Sequence, residues 1–137
     1  MADYRETVDY ILGIPLFAQK IGKENLSSLL CRLGNPEKAV PAIHVAGTNG
    51  KGSTCRALAQ MLAAQGYRVG LFISPHLVSI NERIQINGTN ISDDDFVSAF
   101  ETVKGQFMEH PSFFEVMFAM AAVYFRQQKC DFAVYET

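Results

Sequence analysis

An apolar run passes directly into a glycine-rich turn and a lysine, and no other feature constrains the fold of this sequence as much. The run ends at Ala46, glycines follow at positions 47, 50 and 52, and Lys51 lies between the last two. Glycines at a strand-to-helix turn let backbone N–H groups point toward an anion, while the helix dipole and the lysine add positive charge. The pattern predicts a phosphate-binding loop over Gly47–Thr54, in which Ser53 and Thr54 offer hydroxyl groups to a phosphate-bound Mg²⁺.

The spacing departs from the usual nucleotide-binding pattern, G-x-x-x-x-G-K-[ST]. Val45 stands in place of the first glycine, and Gly52 separates Lys51 from Ser53. A tight connection that needs positive φ values would also explain the glycines. It would not explain the lysine, because a cation at a helix N-terminus is unfavourable unless an anion binds there. The turn is therefore interpreted as a variant phosphate loop.

The composition fits one domain with a small-molecule partner. The chain has 137 residues, of which 48% are hydrophobic and 19% charged, and its formal net charge is −2. Without a basic cluster, a nucleic-acid-binding surface is not expected. No stretch approaches the ~18 apolar residues of a membrane span, and the acidic N-terminus is unlike a signal peptide, so a cytoplasmic protein without a membrane partner is predicted. Cys31, Cys55 and Cys130 lack metal-ligand spacing and are predicted to be buried packing residues in a reducing compartment.

Apolar periodicity and turn residues predict an α/β fold. The expected helices are Tyr4–Leu12, Asn25–Leu33, Ser53–Gln65, Asp93–Met108 and Phe113–Gln127. The expected buried strands are Ala42–Ala46, Arg68–Ile73 and Phe132–Tyr135, and Arg83–Gly88 predicts a short strand or small hairpin. This order predicts one α/β layered structure with a mainly parallel sheet. The sheet is expected to be incomplete, because the last strand ends where the sequence ends.

Chemically useful side chains follow the predicted strands, at the carboxyl edge where such sheets bind ligands. Glu136 follows the third strand and is either an oxygen ligand for Mg²⁺ or an ordinary solvated acid. Ser74-Pro75-His76 follows the second strand. Its serine and histidine reach the same edge, either as site residues or as parts of a surface turn.

Two further features have a functional and an ordinary explanation. Arg83 would either meet a phosphate or carboxylate, or pair with Glu82 at the surface. Phe113 and Phe114 would either belong to the core or flank a flat ligand at a helix start. The residues alone leave both alternatives open.

Taken together, these motifs resemble a known family. The segments His44–Ser53, Ser74–Leu77, Asn81–Ile84 and Phe113–Glu115 are similar to the N-terminal part of folylpolyglutamate synthases, including bacterial forms that also act as dihydrofolate synthases. The family belongs to the Mur-type ligases, whose phosphate turn has relaxed spacing. The resemblance implies a P-loop NTPase-like, three-layer α/β fold, in which residues 1–137 form the N-terminal part of the Mur-ligase ATPase domain, without the C-terminal glutamate-ligase domain.

The resemblance also implies an activity, an ATP-dependent carbon–nitrogen ligation on folates. ATP and Mg²⁺ would be the cofactors, folate or dihydropteroate and L-glutamate the substrates, and the full-length parent a monomer. Because the second domain is missing, the chain alone is expected to be inactive. The alternatives are a nucleotide-binding fragment without ligase activity and a Mur-type amide ligase of cell-wall synthesis, but Ser-Pro-His-Leu and Phe-Phe-Glu favour folate.

Individual roles follow from the same resemblance. Lys51 and Glu136 would be catalytic, and Ser53, Ser74 and Glu136 would hold Mg²⁺. The nucleotide-binding residues would be Gly47, Thr48, Asn49, Gly50, Lys51, Gly52, Ser53 and Thr54. The substrate-binding residues would be Ser74, Pro75, His76, Arg83, Ser112 and Phe114, with a contribution from residues 17–22.

Overall fold

Five strands form a single sheet in the computed structural model, which describes residues 3–14, 22–46, 50–108 and 111–136. The strands lie in the order β1-β5-β2-β3-β4 and are β1 (Ala42–Val45), β2 (Val69–Phe72), β3 (Ile84–Ile86), β4 (Thr89–Asn90) and β5 (Phe132–Glu136). β5 is parallel to both β1 and β2, whereas β3 and β4 are antiparallel additions beside β2. The last of these strands in sequence therefore lies between the first two.

Helices cover both faces of the sheet. They are α1 (Tyr4–Leu12), α2 (Gly22–Arg32), α3 (Lys51–Ala64), α4 (Asp93–Lys104) and α5 (Phe113–Gln127), with short 3₁₀ helices at Pro36–Lys38 and Ile80–Arg83. α3 packs on one face against β1, β2 and β5, and α5 packs against β2 with α1, α2 and α4 around it. Successive strand residues point to opposite faces of the sheet. Leu71 and Val134 therefore pack in the core beneath α3, whereas Phe72 and Tyr135 pack in the core beneath α5.

α5 is buried on nearly all sides, which explains its apolar sequence. Every residue from Val116 to Phe125 is buried between the sheet and the neighbouring helices. Gly70 in β2 permits this close approach, because a Cβ built there would lie 2.6 Å from a ring carbon of Phe125. The helix is therefore the centre of the larger core. Its packing fixes the position of its first turn near the sheet edge.

The predicted three-layer α/β fold is confirmed, and the predicted elements are present. The helices Tyr4–Leu12 and Phe113–Gln127 have the predicted bounds. Three other helices differ at their ends, since α2 begins earlier at Gly22, α3 begins earlier at Lys51 and α4 ends earlier at Lys104. The alternating segment forms β3 and β4, joined by Asn87 and Gly88 at φ values of 48° and 82°, as a tight hairpin turn requires.

The prediction that all three cysteines are buried is wrong for one of them. Cys55 and Cys130 are buried, but Cys31 is exposed on α2. Leu30 next to it is buried, and each residue of a helix is rotated by about 100° from the last. The two neighbours therefore face opposite environments. Within the described ranges, no helix combines the length and the hydrophobicity needed to cross a bilayer.

Candidate functional site

The carboxyl ends of the parallel strands meet at one edge of the sheet. Glu136, at the end of β5, pairs in register with Val45 at the end of β1. Tyr135 pairs with Phe72 at the end of β2, and Ser74 follows shortly afterwards. The predicted phosphate loop begins just beyond Val45. The three segments that the sequence marked as chemically interesting therefore leave the sheet side by side.

Glu136 joins the segments on either side of it. Its Oε1 accepts a hydrogen bond from the backbone N–H of Ser74 at 2.7 Å, and the Ser74 hydroxyl lies 3.5 Å from the same oxygen. Its Oε2 lies 3.9 Å from the position that a Cβ on Gly52 would occupy, in the first turn of α3. Because Glu136 is only half-buried, its carboxylate remains accessible to a ligand.

The first turn of α3 has the features of an anion-binding helix start. Gly50 caps the helix with φ at 73°, a left-handed conformation that favours glycine, and its carbonyl accepts a hydrogen bond from the Thr54 N–H at 3.0 Å. Lys51 opens the helix, and no acidic residue lies in its first turn. The positive end of α3 therefore faces the sheet edge without a carboxylate of its own to neutralise it.

Part of the predicted phosphate loop lies outside the described residues, namely Gly47, Thr48 and Asn49, as do positions 17–21 of the predicted N-terminal contribution. Ser53 and Thr54 are exposed in the first turn of α3. Within the part of the chain that the structure describes, no hydrogen bond joins Ser53 to Ser74 or Glu136. Two of the three predicted metal ligands are thus in contact, and the role of all three stays a prediction.

The available donor atoms suit Mg²⁺ better than a softer metal. Glu136 offers a carboxylate and Ser53 and Ser74 offer hydroxyl groups, and Mg²⁺ prefers oxygen ligands while keeping several waters. Residues 3–14, 22–46, 50–108 and 111–136 contain no group of three or more His, Cys, Asp or Glu side chains that could hold a metal ion. An ion at this edge would therefore share its coordination with phosphate and water oxygens.

A carboxylate clamps the loop that follows β2. Glu82 accepts hydrogen bonds from the backbone N–H groups of Leu77, Val78 and Ser79 at 2.8, 2.9 and 2.8 Å. These three bonds hold the pKa of Glu82 below its ordinary value, and the bond from Leu77 has the largest effect. The side chains of Leu77 and Val78 are each 90% exposed. The clamp therefore fixes the backbone of a loop whose apolar side chains project into solvent.

Asn81 ties the same loop to two helices. Its Oδ1 accepts hydrogen bonds from the hydroxyl of Tyr4 in α1 and from that of Ser79, the latter at 3.1 Å. Its Nδ2 donates to the carbonyl of Ile91 at 2.8 Å and to the carboxylate of Asp93 at 3.1 Å. The Asn81 amide is buried, so these bonds are shielded from water and hold the loop in one place.

Arg83 is held close to the sheet edge by two neighbours. Its Nε donates to Nδ1 of His76 at 2.8 Å, and its Cζ lies 5.0 Å from the ring centroid of Phe113. Burial, and then the charge of Arg83, lower the pKa of His76. Burial also lowers the pKa of Arg83, while the charge of Glu136 acts in the opposite direction. The surface pairing with Glu82 is not formed, because backbone N–H groups occupy that carboxylate.

The predicted substrate residues fall into two groups. Ser74, Pro75, His76 and Arg83 lie on the loop beyond β2, where the Ser74–Pro75 peptide bond is cis. Ser112 and Phe114 lie at the start of α5, where the Phe114 ring packs edge-on against Phe72 with centroids 6.0 Å apart. Phe113 connects the groups, since it follows Ser112 and contacts Arg83.

Ser112 also has a structural task that sequence reasoning overlooked. Its hydroxyl accepts the N–H of Glu115 at 3.2 Å, and the Glu115 carboxylate accepts the N–H of Ser112 at 2.7 Å. This capping box begins α5. Its spacing, Ser-x-x-Glu, was available in the sequence, as was the same spacing at Ser79 and Glu82.

The chain is similar to known proteins along nearly its whole length, although no family model matches it. It is 40% identical over 142 residues to the dihydrofolate synthase/folylpolyglutamate synthase of Bacillus subtilis (strain 168), an alignment that covers 98% of this chain and 33% of that protein. It superposes on a solved FPGS–AMPPCP–folate complex with a TM-score of 0.92 and 39% identity, covering 98% of this chain and 35% of that one.

A second solved structure, of E. coli FolC in complex with DHPP and ADP, matches with a TM-score of 0.89 and 31% identity. That match covers 98% of this chain and 33% of the other. These structures support the three-layer α/β assignment independently of the sequence patterns. The chain spans about a third of the length of the Bacillus subtilis protein, and the same share of the folylpolyglutamate synthase of Lacticaseibacillus casei.

Proposed function

We propose that this chain, a homologue of the folylpolyglutamate and dihydrofolate synthases along 98% of its length, is the N-terminal part of the ATP-binding domain of such a ligase. The complete enzyme would use ATP to add L-glutamate to a folate or to dihydropteroate, and its glutamate-ligase domain would lie outside residues 1–137. The observation that supports the proposal most is the hydrogen bond between Ser74 and Glu136 beside the start of α3. It brings oxygen ligands next to a helix start suited to phosphate.

Gly47–Thr54 would bind the phosphate groups of ATP. Backbone N–H groups at the start of α3 would donate hydrogen bonds, and Lys51 would contact the transferred γ-phosphate. The left-handed Gly50 and the acid-free first turn of α3 support this role. The complexes of similar proteins with the ATP analogue AMPPCP and with ADP support it independently.

Ser53, Ser74 and Glu136 would hold Mg²⁺ at the same edge. When bound, the ion would neutralise negative charge on the phosphate groups. The backbone N–H of Ser74 would orient the Glu136 carboxylate through their 2.7 Å hydrogen bond. Glu136 would thus link the end of the central strand to the nucleotide.

The folate would lie between the loop beyond β2 and the start of α5. Arg83 offers a positive charge for a carboxylate, and Phe114 offers a flat apolar surface for a ring system. Ser74, Pro75 and His76 would form the side of the pocket nearest the phosphate groups, and Ser112 the side nearest the ring. The FPGS–AMPPCP–folate complex among the similar structures supports a folate ligand.

The reaction would proceed through an acyl phosphate. An oxygen of the folate carboxylate attacks the γ-phosphorus, and the bond to ADP breaks. The amino group of L-glutamate then attacks the acyl carbon, an amide forms, and inorganic phosphate leaves. Lys51 would stabilise the charge on the transferred phosphoryl group. The proposal implies a cytoplasmic, monomeric enzyme whose partners are small molecules.

Glutamate addition tests the proposal. The complete protein that contains this chain is incubated with ATP, Mg²⁺, radiolabelled L-glutamate and either tetrahydrofolate or dihydropteroate, and label is expected in at least one product. Lys51→Ala should lower incorporation by ~100-fold or more, whereas the exposed Lys38→Ala should retain it. Nucleotide binding without incorporation would favour a binding module instead. Transfer to a cell-wall precursor would favour a Mur-type ligase of wall synthesis.

A further inference from the structure

The guanidinium of Arg83 is held on two sides and open on a third. Its Nε–H is donated to Nδ1 of His76 at 2.8 Å, and its Cζ lies over the buried ring of Phe113, 5.0 Å from the centroid. Within the described ranges, no hydrogen-bond acceptor is present for its Nη1 and Nη2 atoms. A guanidinium with both Nη atoms available can donate two parallel hydrogen bonds to a carboxylate.

The hydrogen bond to His76 defines which atoms of Arg83 remain available. Arginine has no acceptor atom and stays protonated, so Nδ1 of His76 must be the acceptor and its ring proton must lie on Nε2. The acidic neighbour in sequence does not compete, since the Glu82 carboxylate accepts three backbone N–H groups. The bond therefore occupies Nε, and among the residues that the structure describes the Nη atoms have no hydrogen-bond acceptor.

The loop that carries both residues is itself fixed. Glu82 clamps the backbone between His76 and Arg83, and Asn81 ties the same segment to α1 and to the start of α4. Phe113 belongs to the first turn of α5, and the residues of that helix from Glu115 to Phe125 are all buried. The orientation of the guanidinium thus depends on rigid surroundings rather than on a mobile surface loop.

We propose that His76 is a positioning residue for Arg83: by accepting the Nε–H, it directs the Nη pair toward a carboxylate of the folate substrate beside Glu136. This inference rests on the proposed function. His76 would act through Arg83, so its removal should weaken binding of the folate while leaving binding of ATP unaffected. Removal of His76 would change neither the phosphoryl group that is transferred nor the ligands of Mg²⁺.

A comparison of His76 variants in the complete enzyme separates this role from simple packing. His76→Leu removes the acceptor and should raise the KM for the folate about tenfold, with little change in kcat or in the KM for ATP. His76→Asn carries an amide oxygen near the place of Nδ1 and should recover most of this loss. His76→Gln, whose amide lies nearer the place of Nε2, should behave like His76→Leu and replaces it if that variant does not fold.

The decisive measurement is a double-mutant cycle with Arg83→Gln. If His76 acts through Arg83, adding His76→Leu to Arg83→Gln should raise the KM for the folate no further. A full tenfold rise in that background, or equal KM values for His76→Leu and His76→Asn, would overturn the inference.

A structural readout makes the two proposals separable. In ¹⁵N NMR spectra, the Arg83 Nε–H should exchange slowly with water in the wild type and in His76→Asn, and rapidly in His76→Leu. Rapid exchange in the wild type would overturn the positioning role even if glutamate addition is normal. A wild-type enzyme that adds no glutamate would overturn the proposed function, and with it the assignment of a folate carboxylate to Arg83.

Discussion

Glu136 and Ser74 lie 62 residues apart in the sequence and are joined by a 2.7 Å hydrogen bond at the carboxyl edge of the sheet. The bond runs from a backbone N–H to a carboxylate, so it survives any substitution at position 74, other than proline, that keeps the backbone in place. The Glu136 carboxylate is consequently held in one orientation by the fold itself. Its charge, rather than its position, is the property that a substitution can remove.

Glu136→Gln should therefore disturb metal dependence without disturbing the fold. The amide keeps the shape and an acceptor oxygen but loses the charge, so the Mg²⁺ concentration that gives half-maximal ligase activity should rise ~10-fold or more. A titration with Mg²⁺ at saturating ATP measures this. Glu6→Gln, an exposed change on α1, is the matched control. An unchanged Mg²⁺ requirement in Glu136→Gln would contradict the metal role.

Ser112→Ala should show how much the helix-capping role of Ser112 contributes to the stability of the fold. Loss of the hydroxyl that accepts the Glu115 N–H should lower the free energy of unfolding by ~1 kcal/mol, measured by urea denaturation. Ser98→Ala, an exposed position in α4, should have little effect. If Ser112 also contacts the folate, the KM for the folate should rise as well. An unchanged KM would leave the cap as its whole role.

The loop clamp should open in acid. Because three backbone N–H groups depress the pKa of Glu82 below its ordinary value of 4.5, the clamp is fully formed above that value and is lost as the pH falls through the lower pKa of the folded state. Hydrogen exchange of the Leu77, Val78 and Ser79 amides, corrected for intrinsic rates, should lose its protection over that range. Glu82→Gln should exchange quickly even at neutral pH, whereas Glu101→Gln should resemble the wild type.

Gly70→Ala should destabilise the centre of the molecule. The new Cβ would lie 2.6 Å from the Phe125 ring, so β2 and α5 would have to separate, at a cost of about 1–3 kcal/mol in unfolding free energy. Gly13→Ala is the control, since its Cβ would make only ordinary contacts at 3.5 Å. Equal stabilities of the two variants by urea denaturation would show that the sheet yields more easily than its packing implies.

The sequence was most informative where one local rule determines the structure. The glycines after β1 predict a tight turn into a helix, and Gly50 caps α3 in a left-handed conformation, whereas Gly47, Thr48 and Asn49 lie outside the described residues. The start of α3 was placed two residues late, since the capping role of Gly50 depends on φ, which the sequence does not state. Cys31 was assigned to the core because its residue type is commonly buried, but the side of a helix that faces the core is set by its neighbours.

The contacts that the sequence could not reveal are those between distant residues. Asn81 was noted only as the first residue of a segment that carries the family resemblance, and its partner Tyr4 lies 77 positions away. Arg83 had an acidic neighbour at position 82, which made a surface pair the simple alternative. In the structure Arg83 contacts His76 and Phe113 instead. These two residues belong to separate segments, and only the folded chain brings them together.

The position of β5 between β1 and β2 has a consequence for how the chain folds. Neither of the two earlier strands pairs with the other, so the parallel part of the sheet closes only when residues 132–136 arrive. On a ribosome, β1 and β2 would leave the exit tunnel long before their common partner is made. The α3 turn can form early from local contacts, but the sheet edge with Glu136 is assembled last. Folding of this region should therefore be slow and dominated by contacts of large sequence separation.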